Sequence, residues 1–269
     1  ISLLIIFYLH NIIKINNSDS TANFVCMFFV FLPSTQIYYL SSVDSLIALS
    51  FLATIYHFVT WINSRRQSDY FLCIVFLAVS AFLNFTTVIL ASIMFAYSFS
   101  YFDILPRKLQ ISDREKTIGK DIFSIFLPVG AIFLFIYLFF GYNYLEGFMA
   151  ASEYENRHYS SGFLLIDYPV SFFATRLENI AELILFLGPV GTVFAYKALK
   201  SIDNDYNLFL KYGILIFIMV ICTGAFRTGE TARALMYFYP LIMITIANFV
   251  DESLDLNLSE RKDILLVTF

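Results

Sequence analysis

The strongest constraint on the fold is a series of apolar runs, each close to the length that crosses a membrane as a helix. About 20 predominantly apolar residues span the hydrocarbon core of a bilayer. Only 14% of the residues are charged, against about 25% in a typical soluble domain. The sequence therefore predicts an all-α fold, a polytopic transmembrane helical bundle of about nine spans. The nine runs are Ile1–Ile13, Thr21–Tyr39 (broken near Pro33), Val43–Ile62, Tyr70–Leu83, Phe85–Phe102, Asp121–Phe140, Ile180–Leu199, Leu208–Thr223 and Ala232–Val250.

The basic residues provide a test of this count and set the orientation. The segment Tyr70–Phe102 is too long for one straight span, so we divide it at a tight turn near Asn84. Cytoplasmic loops of membrane proteins carry an excess of Lys and Arg. When the Arg65–Arg66 loop is cytoplasmic and nine spans alternate from there, 13 of the 17 Lys and Arg residues fall inside. The prediction is an integral multi-pass membrane protein whose C-terminus is also cytoplasmic. The four basic residues on the outer side are Arg157, Arg176, Arg227 and Arg233.

Two segments differ from the spans. Within a transmembrane domain of residues 1–250, residues 141–178 form a long extracytoplasmic loop that carries Glu153 and His158. We expect this loop to fold partly as short helices on the outer ends of the spans. Residues 251–269 are acidic and amphipathic, and they are expected to lie as a tail on the cytoplasmic surface. The formal net charge of −4 excludes a polybasic nucleic-acid binder, so no nucleic-acid partner is expected.

The stretch "FRTGETARALMYFYP", residues 226–240, places three charged residues at the outer end of the last span. Arg227, Glu230 and Arg233 recur at three-residue spacing, and Glu230 and Arg233 share a helix face if the last helix begins near Gly229. One interpretation is a charged helix end with a snorkelling arginine. The other is an anion site, because guanidinium groups bind phosphate bidentately and a helix N-terminus favours negative charge. Glu230 would then orient an arginine or accept a hydrogen bond from a sugar hydroxyl.

Further candidates lie at the outer ends of other spans. Asp44 in "SVDSL" enters a span from outside, either as a helix N-cap or as a contact to a polar ligand. Arg176, Glu178 and Glu182 cluster at another outer end, where interfacial solvation and ligand binding are both open. His158 is either a base or an ordinary loop histidine. His57 is interpreted as a packing or interfacial residue.

These features together resemble polytopic glycosyltransferases of the GT-C type, which use polyprenyl-phosphate-linked sugars on the extracytoplasmic side. The resemblance is carried by the order of "FLPSTQIYYLSSVDSLIAL", "LENIAELILFLGP" after a long outer loop, and "GETAR" before an apolar helix. It implies that Arg227 and Arg233 hold the lipid phosphate, while Glu230 and Asp44 bind sugar or acceptor. It also implies that the loop containing Glu153–His158 covers the site.

The resemblance further implies a displacement at the anomeric carbon with polyprenyl phosphate as the leaving group. The acceptor would be a glycan, a lipid or a protein, and the partner is membrane lipid. No cofactor is certain; Mg²⁺ or Mn²⁺ suits this chemistry, although the sequence shows no complete ligand set. Four tyrosines would stack on sugar, line the isoprenoid groove or form the interfacial belt: Tyr38, Tyr39, Tyr154 and Tyr159. One departure is the acidic first outer loop of GT-C enzymes, which would lie upstream of Ile1 if the chain is a C-terminal portion, so the catalytic base is unassigned.

Two other functions compete with this interpretation. A secondary transporter or lipid-carrier flippase would place ionisable residues near the middle of the membrane on broken helices. A non-catalytic subunit of a larger membrane complex would explain the absence of an assigned base. The ionisable residues singled out above instead lie at the outer ends of spans, which favours a site on the extracytoplasmic face.

Overall fold

The computed structural model describes residues 1–39, 44–84, 87, 89–91, 94, 113–158, 165–200 and 231–255. All the secondary structure in these ranges is helical, which confirms the all-α prediction. The elements are α1 (Ser2–Lys14), α2 (Asp19–Phe31), a π-helical turn (Thr35–Tyr39), α3 (Asp44–Ser64), α4 (Gln67–Leu83), α5 (Asp113–Phe140), α6 (Tyr144–His158), α7 (Pro169–Lys200), α8 (Thr231–Ala234) and α9 (Phe238–Asp255).

Three segments of these helices are long and apolar enough to cross a membrane: α3, residues Phe123–Phe140 of α5, and α7. Four shorter apolar helices accompany them, namely α1, α2, α4 and most of α9. A 13-residue helix such as α1 is about 20 Å long, less than the roughly 30 Å of the hydrocarbon core. Nearly all of the predicted span Phe85–Phe102 and all of Leu208–Thr223 lie outside the described residues.

Helix α9 forms the centre of the bundle. Every residue from Leu235 to Asn248 is buried, and a helix that is apolar and buried all round is a core element. Helices α1, α2 and α7 pack against α9, and the α3–α4 hairpin packs on α1. The ring of Tyr237, just before α9, stacks on Phe51 of α3 with centroids 4.6 Å apart.

Contacts along the helices show their directions. Ser2 Oγ at the start of α1 donates to Tyr39 O, 2.6 Å away, beyond the end of α2, so α1 and α2 are antiparallel. Helices α7 and α9 run in the same direction, because Asn179 meets Thr231 near one end and Phe194 meets Phe249 near the other. Helices α4 and α5 also run in parallel, because Tyr70 meets Ser124 at one end and Phe82 meets Tyr142 at the other. If Tyr70–Phe102 forms two spans, the second span lies between α4 and α5 in the chain, and α4 and α5 must then run in the same direction.

The bundle therefore has two ends. We call the end that holds Ser2, Tyr39, Asp44 and Arg233 the Arg233 end, and the opposite end, which holds Arg65, the Arg65 end.

Asp251 ties α9 to α2 at the Arg65 end. Its Oδ1 accepts hydrogen bonds from Thr21 Oγ1 at 2.6 Å, Ser18 Oγ at 2.8 Å and the Ser18 backbone N–H at 3.1 Å. Partial burial on its own would raise the pKa of Asp251, but these hydrogen bonds stabilise the carboxylate and hold the pKa below its ordinary value. Ser18 is also the N-cap of α2, so the Asp251 carboxylate connects the N-terminal end of α2 to the C-terminal part of α9.

Prolines shape the helices in a consistent way. Pro128 has no N–H to donate to the Ser124 carbonyl four residues earlier, and Tyr70 Oη donates to that carbonyl at 2.8 Å. Pro240 likewise leaves the Met236 carbonyl without its α-helical donor, and the Tyr39 hydroxyl donates to it. In both cases a tyrosine from a neighbouring element donates to the carbonyl that lacks its α-helical donor; the Met236 carbonyl also accepts from the backbone N–H of Tyr239 at 3.3 Å.

The predicted break near Pro33 is confirmed. Helix α2 ends at Phe31, and Leu32 is extended with ψ of 141° because a residue before proline avoids the helical region. Gly188 precedes Pro189 and breaks the helical geometry of α7 with φ of 76° and ψ of 163°. A β-carbon at Gly188 would lie 3.7 Å from Pro33 Cδ, so the two breaks pack against each other.

The segment 141–178 differs from a simple loop. It contains α6, as the expectation of short helices proposed, and α7 begins at Pro169 rather than near Ile180. Proline is well suited to the first helical position because its missing N–H needs no partner there. The charged residues between Pro169 and Ile180 concealed this start, because they interrupt the apolar run. Helix α9 continues to Asp255, and the rest of the predicted tail, residues 256–269, lies outside the described residues.

Candidate functional site

The structure brings together two of the residues singled out in the sequence, Asp44 and Arg233. Asp44 is the first residue of α3, and Arg233 lies on the single turn of α8. Arg233 Nε is 3.4 Å from Asp44 Oδ2, and the two side chains are 49% and 35% exposed. Ion pairs that are this exposed typically contribute about 0.2–1 kcal/mol. The pair therefore leaves the arginine accessible to a stronger anionic ligand at the Arg233 end.

The other predicted site residues have different outcomes. Glu153 lies exposed on α6. His158 is the last residue of that helix, and its side chain is outside the described part of the chain. Arg227 and Glu230 also lie outside the described residues.

A polar stripe on α7 supports the turn that carries Arg233. The stripe consists of Arg176, Asn179 and Glu182, which lie at i, i+3 and i+6 and so on one helix face. Glu182 Oε1 accepts a hydrogen bond from the backbone N–H of Ala232 at 2.9 Å. The amide of Asn179 is 2.8 Å from Thr231 Oγ1. Two consecutive residues of α8 are thus attached to two successive turns of α7, immediately before Arg233.

Arg176 is the most buried charged residue of the stripe, with 5% of the residue exposed. Its guanidinium lies over the ring of Phe172, 4.5 Å from the centroid, in cation–π geometry. When the Asn179 amide is oriented to satisfy both of its polar atoms, its nitrogen donates to Thr231 Oγ1 and Thr175 O, and its oxygen accepts from Arg176 at 3.1 Å. A charged group is costly to bury in an apolar helical bundle, which makes Arg176 a candidate functional residue.

Sequence reasoning found only part of this stripe. Arg176 and Glu182 were recognised as a charged cluster, but they were grouped with Glu178, which is exposed. Asn179 was missed. The three-residue spacing of Arg176, Asn179 and Glu182 is the signal that would have revealed a common face, once the helix is known to begin at Pro169.

Aromatic residues lie beneath α8. Tyr39 is 1% exposed, its ring packs edge-on against Phe29 with centroids 5.2 Å apart, and its hydroxyl bonds to Met236 O. The expectation that Tyr39 stacks on a sugar is therefore wrong, since no ring face is open. Tyr38 is only partly buried and its ring lies 5.1 Å from that of Phe186 on α7.

A second polar cluster lies between the middle of the bundle and the Arg65 end. His57 Nδ1 is 2.8 Å from Asp69 Oδ1, and its Nε2 is 3.4 Å from the hydroxyl of Tyr8. His57 and Asp69 are 7% and 8% exposed, and the imidazole stacks on Phe76. The interpretation of His57 as a packing or interfacial residue missed the carboxylate, which lies across the α3–α4 turn, 12 positions along the chain.

The Arg233 end therefore presents one partly exposed guanidinium, that of Arg233, beside the Asp44 carboxylate. Behind it, Asn179 and Glu182 of α7 attach the turn that carries Arg233, and Arg176 lies buried next to Asn179. Among the described residues, no three His, Cys, Asp or Glu side chains are grouped so as to hold a metal ion. Comparison with known proteins assigns no family, since no protein-family model, curated protein or solved structure matches the chain.

Proposed function

We propose that the protein is an integral-membrane glycosyltransferase that transfers a sugar from a polyprenyl-phosphate-linked donor to an acceptor on the extracytoplasmic face. On this proposal the Arg65–Arg66 loop is cytoplasmic and the Arg233 end is outside. The polyprenyl tail lies among apolar helices, and the phosphate lies at the Arg233 end.

The observation that carries the proposal is the Asp44–Arg233 pair on its α7 support. The charge distribution of the sequence predicts that both residues lie outside, and the two side chains are 3.4 Å apart. An arginine that only snorkelled to the interface would not need a buried polar stripe behind its turn. The support of α8 by Asn179 and Glu182 fits an arginine that must be held in one position.

The chemistry follows from the charges. Departure of a polyprenyl phosphate develops negative charge on phosphate oxygens, and a guanidinium stabilises that charge in a bidentate arrangement. Asp44 neutralises Arg233 before the donor binds, and the phosphate then competes for the same guanidinium. Asp44 released from the pair is available to accept a hydrogen bond from a sugar or acceptor hydroxyl.

Substitution of Arg233 provides the test. The protein is purified in detergent, and its affinity for farnesyl phosphate, a short polyprenyl phosphate, is measured with farnesol as the uncharged comparison. Arg233→Ala is expected to weaken binding of farnesyl phosphate by roughly ten- to a hundredfold, the effect of losing a charge-assisted hydrogen bond. Arg233→Lys is expected to lose nearly as much, because lysine lacks the planar fork. Sugar transfer from polyprenyl-phosphate sugars is then measured for the same variants.

Arg66→Ala serves as the control, because Arg66 is equally basic, exposed and at the Arg65 end. It is expected to bind farnesyl phosphate like the parent. Parental affinity in both Arg233 variants would overturn the proposal, as would equal binding of farnesol and farnesyl phosphate.

A secondary transporter or lipid-carrier flippase is the second candidate, and the buried His57–Asp69 pair favours it. Ionisable residues inside a helical membrane bundle are typical of transport pathways. If this alternative holds, Asp69→Asn abolishes transport of the substrate across the membrane of reconstituted vesicles. Binding of farnesyl phosphate at the Arg233 end is then unchanged. On the glycosyltransferase proposal, sugar transfer survives Asp69→Asn in the folded protein.

A further inference from the structure

Glu182 has a role that its position at the end of a charged cluster did not suggest. Its carboxylate accepts a hydrogen bond from the backbone N–H of Ala232, the residue before Arg233. Glu182 is partly buried, in contrast to Glu178 one turn earlier on the same helix, which is exposed. A carboxylate bound to a backbone N–H fixes the main chain rather than a neighbouring charge.

The turn that Glu182 contacts needs such a support. Helix α8 has only four residues, and a turn at residues 235–237 separates it from α9. A single helical turn is unstable on its own, because nucleation fixes several dihedral angles for one hydrogen bond. The position of the Arg233 side chain therefore depends on the contacts that attach α8 to α7.

We infer that Glu182, assisted by Asn179, is a positioning residue that holds α8 so that the Arg233 guanidinium faces the donor phosphate. This inference rests on the proposed function. Glu182 acts through its acceptor oxygen on Ala232 N–H, and its negative charge is not required for the effect. Asn179 holds the preceding residue, Thr231, through the side-chain hydroxyl of that residue.

The choice of replacement at position 182 separates positioning from other roles. Glu182→Gln retains an oxygen that can accept from Ala232 N–H, so its affinity for farnesyl phosphate is expected to stay within about twofold of the parent. Glu182→Ala removes the acceptor and is expected to weaken binding by roughly three- to tenfold, less than Arg233→Ala, because the charge of Arg233 remains nearby. Glu178→Ala is the matched control on the same helix and is expected to bind like the parent.

A double variant provides the second readout. If Glu182 acts only through Arg233, Glu182→Ala adds no further loss of affinity in the Arg233→Ala background. Additive losses would overturn the inference, because they would mean that Glu182 contacts the ligand itself. Equal losses for Glu182→Gln and Glu182→Ala would also overturn it, since they would assign the effect to the charge.

Folding and function are kept apart by two further measurements. Thermal melting in detergent identifies a variant that fails to fold. If Glu182→Ala fails to fold, Glu182→Asp is tested in its place, because the shorter aspartate side chain cannot reach Ala232 N–H. A loss of farnesyl phosphate affinity in Glu182→Asp equal to that expected for Glu182→Ala supports the inference, and an affinity like that of the parent contradicts it. If Arg233→Ala binds farnesyl phosphate like the parent, the proposed function fails; if Arg233→Ala loses affinity and Glu182→Ala does not, only the positioning role fails.

Discussion

Replacing Tyr70 with phenylalanine is expected to destabilise the protein only while Pro128 is present. The Tyr70 hydroxyl donates to Ser124 O at 2.8 Å, and Pro128 cannot supply the backbone donor that this carbonyl would have in an uninterrupted helix. Tyr70→Phe removes the hydroxyl and keeps the ring, whose centroid lies 5.1 Å from that of Trp61. The substitution therefore isolates one hydrogen bond.

The expected magnitude follows from comparable bonds in membrane helices. Side-chain hydrogen bonds between such helices contribute about 0.6 kcal/mol on average and up to about 1.7 kcal/mol. Because the carbonyl has lost its helical donor, Tyr70→Phe is expected to fall in the upper part of this range, at about 1–1.7 kcal/mol. In a Pro128→Ala background the restored N–H satisfies Ser124 O, and the cost of Tyr70→Phe is expected to fall below about 0.5 kcal/mol.

The assay is a double-mutant cycle on reversible unfolding of the purified protein in mixed micelles. Tyr137→Phe is the control, because Tyr137 lies on the same helix as Pro128 and is 50% exposed. Its cost is expected to be near zero in both backgrounds. Independent sites add within about 0.3–0.5 kcal/mol, so additivity of Tyr70→Phe and Pro128→Ala within that range would refute the reasoning.

Three other predictions concern the ends and breaks of the helices. A cysteine in place of Asp167 is expected to react with an impermeant thiol reagent on intact cells, and one in place of Ser68 is not; the reverse pattern would overturn the proposed orientation. Gly188→Ala is expected to lower thermal stability by about 1–3 kcal/mol because φ of 76° strains any residue with a β-carbon, whereas Gly130→Ala, with no atom within 4 Å of the new carbon, is expected to be neutral or stabilising. The parent is expected to be more stable than Asp251→Asn, with the largest difference above the ordinary carboxyl pKa of about 3.8. The difference is expected to disappear as the pH falls through the lower pKa that Asp251 has in the folded state, and a difference that grows towards acid pH would contradict this assignment.

Within the described part of the chain, the sequence predicted the all-helical fold and the break near Pro33 because apolar length and proline position are local signals. The break near Pro33 followed from the restriction that a proline places on the preceding residue, and Leu32 is extended as that restriction requires. The shared end of Asp44 and Arg233 was likewise predictable, because the basic residues determine which span ends face the same side. The distance between the two side chains was not predictable, because it depends on how α3, α7 and α8 pack.

The residues that sequence reasoning missed owe their roles to partners far along the chain. Asn179 has no distinctive local pattern, and its partner Thr231 is 52 positions away. Glu182 was interpreted through its spacing from Glu178, although its partner is the backbone of Ala232, which no side-chain pattern reveals. Buried polar groups require partners, but a single sequence does not say which of many polar groups will supply them.

The proline that ends "FRTGETARALMYFYP" connects the local sequence to the geometry of the site. Pro240 removes the donor for the Met236 carbonyl, so the helix cannot continue unbroken through residues 235–237, and α8 becomes a separate turn. The Tyr39 hydroxyl takes over the freed carbonyl, which makes the break compatible with a buried position. A separate turn can take a direction of its own, and its position is then set by Asn179 and Glu182 on α7. Arg233 is consequently held near Asp44 by a turn that side chains of α7 attach, so the position of Arg233 depends on the break before α9 and not only on the direction of α9.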